Sequence, residues 1–194
     1  MKKHLLITVK LTFVLLILCC GLYPLILAGL GLLTPGHGNG ETLSVDGKVV
    51  GYANIGQKFD RDNYFWSRPS AVGYNAAGSG GSNKGPSNPD YLKDVQARTD
   101  SFLVHNPGVS RGEIPAELVT YSGSGLDPDI SPAGARIQVR RVAAARRMDS
   151  TVILQLIDQI TQKPLLGFLG PAKVNVLKLN IALDQLERKA GSSR

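Results

Sequence analysis

Residues Leu11 to Leu33 form 23 consecutive positions without a charge, and 18 of them are apolar. As an α-helix the run would span about 34 Å, against roughly 30 Å for the hydrocarbon core of a bilayer. A helix this long and apolar on every side does not suit the core of a small soluble domain, so the run predicts a transmembrane helix. A cleaved signal peptide has an apolar region of about 7–15 residues followed by a small-x-small site. Here the run is longer and ends in Leu30-Gly31-Leu32-Leu33-Thr34-Pro35, a poor cleavage sequence. A lipoprotein signal would place small residues before its Cys, whereas Ile17-Leu18 precede Cys19. Cys19 and Cys20 therefore read as small packing residues within the span. Gly21, Pro24, Gly29 and Gly31 suit a membrane helix that another helix approaches closely.

Charge completes the topology. The 194-residue chain carries 22 Lys+Arg against 15 Asp+Glu, a formal net charge of +7. Lys2, Lys3 and Lys10 precede the span, and no acidic residue occurs before Glu41. The positive-inside rule then predicts a cytoplasmic N-terminus at 1–10, a span at 11–33, and everything later across the plasma (inner) membrane. A linker at 34–42, rich in Gly, leads to a domain at 43–194, large enough for one core. With the three N-terminal lysines set aside, that portion carries 19 basic against 15 acidic residues. A basic balance outside the cell does not point to nucleic acid.

The outer domain reads as α+β, with strands early and helices late. Asp46-Gly47 between Thr42–Val45 and Lys48–Tyr52 signals a hairpin. Residues 60–88 are rich in Gly, Ser, Asn and Pro, but Tyr64, Phe65, Trp66 and Tyr74 are costly to leave loose, so an ordered loop is expected. Asn88 and Pro89 open a helix to about His105, whose ring is expected to serve the last carbonyls. Ile114–Thr120 reads as a short helix or turn, and 122–128 as a second special loop. Ser131 caps a helix to about Met148, Asp149 or Ser150 another to about Gln162, and Asn175 a last one to about Ala190. Leu165–Leu169 is short and apolar and reads as a buried strand. In the last helix Val176, Leu179, Leu183 and Leu186 form a core face.

Familiar chemical motifs fail one by one. The glycine-rich stretch 78–85 lacks the Gly-Lys-Ser/Thr ending of a phosphate loop, and Asn83 stands where a dinucleotide fingerprint needs glycine. Gly80-Gly81-Ser82-Asn83 is followed by Lys84, so there is no nucleophile elbow. A serine hydrolase would have to use Ser82 or Ser124 with His105. Two Cys and scattered His suit no zinc site. Asp60/Asp62 and Asp127/Asp129 lie in turn-forming contexts. Five arginines crowd residues 136–147. On a continuous helix Arg136, Arg140 and Arg147 share one solvated stripe, while Gln138, Arg141, Val142, Ala145 and Arg146 group on the opposite, packed side. The first stripe suits anionic lipid or an acidic partner.

With these stretches in view, the chain resembles the KdpC family, the C subunit of the Kdp potassium-transporting P-type ATPase. The resemblance rests on Gly56-Gln57-x-Phe59, Tyr64-Phe65-x-x-Arg68-Pro69-Ser70, Tyr74-Asn75 and Ser79 through Pro89. It continues with Pro115 to Thr120, Ser122 to Pro128, Ile130-Ser131-Pro132 and Arg141-Val142-Ala143-x-Ala145-Arg146. It closes with Pro164 to Gly170 and Val174 to Asp184, so it covers nearly the whole chain. Asp129 stands where many members carry His, and Lys84 where an apolar residue is common.

The resemblance implies a non-catalytic accessory subunit of a high-affinity potassium importer, working with a channel-like potassium-binding subunit and an ATP-hydrolysing P-type subunit. Such a subunit is described as a catalytic chaperone that raises the ATP affinity of the pump. ATP, magnesium and potassium are then expected on the partners, with no catalytic, metal or cofactor site here. An outward domain does not meet cytoplasmic ATP, so any effect on it would pass through subunit packing. Candidate interface residues are Tyr64, Phe65, Arg68, Tyr74, Asn75, Ser79, Ser82, Asn83, Asn88, Ser122, Ser124, Asp127, Arg141 and Arg146. A membrane-anchored hydrolase and a basic envelope-binding domain are the alternatives.

Overall fold

The computed structural model describes residues 2–192, and contacts divide the chain into two units, residues 1–42 and 43–194. In the first unit, α1 (Lys2–Leu16), a π-helical turn (Ile17–Leu22) and α2 (Tyr23–Gly31) make one helix of 30 residues. Among the described residues it is the one helix long and apolar enough to cross a membrane. It begins nine residues before the uncharged run, because Lys and His tolerate helix well and only the bilayer core demands neutrality. The π turn lies just before Pro24, which has no N–H to donate and whose ring crowds the preceding turn. Widening that turn relieves the clash.

In the second unit, β1 (Thr42–Val45) and β2 (Lys48–Tyr52) pair as a hairpin. Asp46 and Gly47 both take positive φ, as a two-residue primed turn requires. α3 (Pro89–His105) starts where the Asn88 side chain accepts hydrogen bonds from the Asp90 and Tyr91 amides. Residues 114–120 form a single 3₁₀ turn, Ala116–Leu118. β3 (Asp129–Ile130) pairs antiparallel with β4 (Val174–Asn175), setting Asp129 opposite Asn175 and Ile130 opposite Val174.

The helix expected over 132–148 is broken in two, α4 (Pro132–Arg136) and α5 (Val139–Arg146). No glycine or proline causes the break. Residues 137–138 form a tighter turn, and the Gln138 side chain is diverted into the interior. α5 ends on Arg147 in the left-handed conformation, so Ala145 is exposed rather than packed. α6 (Ser150–Ile160) is capped by Asp149, and α7 (Val176–Ser192) starts where Asn175 Oδ1 accepts from the Lys178 amide.

The core lies between α4, α5, α6 and α7, with Val142, Ile153, Ile157, Leu179 and Leu183 fully buried. Leu186 is only half-buried. Phe65 enters this core from the long loop and is likewise inaccessible. The expected strand at Leu165–Leu169 is instead a tight exposed turn, with Leu166 and Phe168 76% and 74% exposed. Gly167, Gly170 and two prolines turn the chain before a ladder can form.

Candidate functional site with two interlocked polar loops

Residues 61–66 run through the domain without a neighbouring strand, yet their carbonyls and the Tyr64, Phe65 and Trp66 N–H groups are hydrogen-bonded. Side chains from distant helices take the place of a strand. Asn180 on α7 accepts from the Phe65 N–H at 2.8 Å and donates to the Phe65 carbonyl at 3.0 Å. Gln138 accepts from the Trp66 N–H at 2.8 Å. Arg141 donates to the Asp62 and Tyr64 carbonyls at 2.7 and 2.9 Å, and to Asn106 and Gln138. Arg146 donates to the Asn63 carbonyl at 2.6 Å.

Both arginine side chains are 3% exposed. Buried charges need partners, and these have them. Arg146 pairs with Glu187 at 2.6 Å and lies 2.7 Å from Asp184, the latter an ion pair without hydrogen-bond alignment. Its guanidinium also lies over the Tyr64 ring, as that of Arg141 lies over Trp66. Burial pushes the Arg141 guanidinium down to about 10, with nearby Asp62 opposing the fall, so it stays charged at neutral pH.

On this base two loops fold onto each other. The Ser122 N–H donates to the Pro69 carbonyl at 3.1 Å, and the Gly80 N–H and Ser79 hydroxyl donate to the Ser124 carbonyl at 2.8 and 3.0 Å. Arg68 pairs with Asp127 at 2.7 Å. Asp127 also accepts from the Asp129 amide, a local turn. Tyr74 donates to the Arg68 carbonyl at 2.6 Å, and burial pushes its hydroxyl up to about 12. Asn75 closes its own turn by accepting from the Ala77 amide. Gly125 sits at φ +68°, and a Cβ there would lie 2.7 Å from the Gly80 carbonyl oxygen. Gly125→Ala is therefore expected to pry the loops apart and cost about 1–3 kcal/mol. Hydrogen exchange at the Gly80 amide should accelerate; unchanged protection would refute the interlock's dependence on this glycine.

The candidate residues thus divide by position. Phe65, Ser122, Arg141 and Arg146 are buried and hold the loops. Tyr64, Arg68, Tyr74, Ser82, Asn88 and Asp127 are half-buried, while Asn75, Ser79, Asn83 and Ser124 are exposed. Gln138 and Asn180 carry as much of the framework as the arginines but were not singled out as site residues. Their one signal is a polar amide on the packed side of a helix. The two positions that depart from the common pattern are each paired, Asp129 with Lys173 at 2.7 Å and Lys84 with Asp94 at 3.6 Å.

Beside the loops lies an open cavity of about 590 Å³, lined among others by Trp66, Ser70, Tyr74, Arg98, His105 and Tyr121. His105 does not serve helix carbonyls. Its Nδ1 is hydrogen-bonded to Asp62 at 2.8 Å, and its ring meets Trp66 edge-on. Among the described residues it makes no hydrogen bond to Ser82 or Ser124, so the structure gives the hydrolase constellation no support. Ser70 accepts from the Val72 and Tyr74 amides, and Ser67 donates to the Gln57 carbonyl. Among the described residues no group of three or more His, Cys, Asp or Glu could hold a metal ion. Of the exposed arginine stripe, Arg136 is paired with Asp158. What the site offers is a pre-shaped polar surface on a rigid base.

A family model described as KdpC, K+-transporting ATPase, c chain, matches residues 5–185. A Flavobacterium psychrophilum protein is 55% identical over 185 residues, covering 95% of this chain and all of the relative. One from Bacteroides fragilis is 50% identical over 190 residues, covering 96% and all of the relative. One from Gemmatimonas aurantiaca is 47% identical over 198 residues, covering the whole chain and 98% of the relative. Each of these relatives is described as a potassium-transporting ATPase KdpC subunit.

Proposed function

The chain belongs to the KdpC family of K+-transporting ATPase c chains, and we propose that it acts there as a non-hydrolysing accessory subunit. Its N-terminal helix anchors it in the inner membrane with the N-terminus cytoplasmic. Its outer domain docks, through the rim of the interlocked loops, on the channel-like potassium-binding subunit and the ATP-hydrolysing P-type subunit. ATP, magnesium and potassium are held by those partners. The chain raises ATP affinity indirectly, because packing against the pump favours the conformation that binds nucleotide.

The interlock of the two loops carries this reading. Polar loops are usually mobile, and ordering them on binding costs affinity. Here that cost is met during folding, by buried Arg141 and Arg146 and the amides of Gln138 and Asn180. A molecule gains little from so rigid a polar surface unless a partner reads it.

The test is co-purification of the complex together with potassium-stimulated ATP hydrolysis. Combining Ser82→Ala with Asn83→Gly, the second at a positive φ that glycine accepts, should leave the fold intact. At about 1 kcal/mol for each effective contact, assembly should weaken by roughly tenfold or more. Omitting the chain should raise the ATP concentration needed for half-maximal hydrolysis by somewhere between about 5- and 150-fold. Unchanged assembly would remove the docking role, and unchanged ATP affinity would remove the coupling.

A further inference from the structure

The turn between α6 and β4 is unlike the rest of the domain surface. Residues 164–172 carry no charge, and Lys163 and Lys173 bracket them. Leu165, Leu166 and Phe168 are 69%, 76% and 74% exposed, side by side on one tip. A tip of three large exposed apolar side chains is a poor choice for water alone.

Its backbone is in part bonded to itself. At the base, Gln162 and Lys173 exchange two backbone hydrogen bonds at 2.8 and 3.0 Å. Within the tip, Leu165 and Leu169 exchange two more at 3.0 and 2.9 Å, and the Gly167 N–H donates to the Pro164 carbonyl. The two prolines have no N–H to satisfy. Each of these bonds leaves one fewer backbone pair to strip of water, which suits shallow entry into an interfacial layer where the remaining groups stay hydrated. Lys163 is exposed, while Lys173 keeps a salt bridge to Asp129 at the base.

We propose that this turn is a second, monotopic membrane contact. Leu165, Leu166 and Phe168 enter the boundary between headgroups and acyl chains, and Lys163 stays at the level of anionic phosphates. Lipid is favoured over a protein pocket on two grounds. An exposed Lys163 beside an uncharged apolar tip suits an anionic headgroup layer. In addition, residues 34–42 span at most roughly 30 Å fully extended, so an anchored chain keeps its domain near lipid at high effective concentration. Weak insertion then suffices. The inference needs only the membrane anchor and is independent of the accessory-subunit reading.

The test uses the full chain with Cys19→Ala and Cys20→Ala, carrying a nitroxide at Leu166→Cys, Phe168→Cys or, as an exposed control, Lys93→Cys. Nanodiscs contain phosphatidylethanolamine and phosphatidylglycerol. Accessibility to oxygen, which partitions into lipid, is compared with accessibility to a water-soluble nickel chelate. The expected ratio at 166 and 168 is severalfold above that at 93, in the chain alone and in the assembled complex. A ratio equal to the control overturns the proposal. So does exclusion of both reagents in the complex, which would mean that a protein partner covers the turn.

Discussion

Arg141→Ala should lower the stability of the outer domain by about 3–5 kcal/mol. For a domain of this size that is a fall of roughly 10 °C in melting temperature. The side chain is 3% exposed and donates to the carbonyls of Asp62 and Tyr64 and to the side chains of Asn106 and Gln138. Truncation leaves Asn106 Oδ1 and the Asp62 and Tyr64 carbonyls without this donor, while Gln138 Oε1 keeps the Trp66 N–H, and the cost of an unmet buried acceptor exceeds the value of an ordinary hydrogen bond. Arg141→Lys should recover little, because one compact ammonium cannot span acceptors arranged around a planar fork. Trp66, the chain's single tryptophan, lies against Arg141. Its fluorescence during thermal unfolding therefore reports on the affected region. A loss below about 1 kcal/mol would mean that water replaces the guanidinium and that the arginine does not hold the loop.

Phe65→Ala should cost a similar amount, about 3–5 kcal/mol, by a different route. The ring is fully inaccessible and packs into the helical core, so its removal leaves a cavity that rigid neighbours cannot close. The control is Phe168→Ala, same chemistry at 74% exposure, where the change should stay within about 0.5 kcal/mol. Equal losses at the two positions in chemical denaturation of the full chain would contradict the burial described for Phe65. On the proposed docking role, Phe65→Ala should also weaken assembly, since the loops lose their base although the ring itself is buried.

What could be read from the sequence was what local chemistry determines. Asp46-Gly47 marked the hairpin because few other residues accept two positive φ angles in succession. Asn88, Ser131, Asp149 and Asn175 marked helix starts because short oxygen-bearing side chains satisfy free amides there. The membrane helix announced itself by length. The misread elements depend on what lies across the fold. Leu165–Leu169 reads the same whether it is a buried strand or an exposed turn, since a short apolar run carries no period. The break at Gln138 carries no glycine or proline signal, and its side chain bonds both the Gly134 carbonyl four residues back and the Trp66 N–H, 72 residues earlier in the chain. His105 was assigned to its own helix end, yet its partner Asp62 comes from the long loop. The candidate loops themselves were legible as family motifs, but their division into buried supports and exposed rim was not.

The bonds between Phe65 and Asn180 join residues 115 positions apart. A growing chain emerges at about 5–20 residues per second, so roughly 6–23 seconds separate the two on the ribosome. Until α7 exists, Phe65 lacks the Asn180 amide that holds both of its backbone groups, and Arg146 lacks Asp184 and Glu187. The base of the two loops is thus completed only when α7 has been made. A chain truncated before α7 keeps its anchor and hairpin but lacks Asn180, so the docking rim proposed above would stand on an incomplete base.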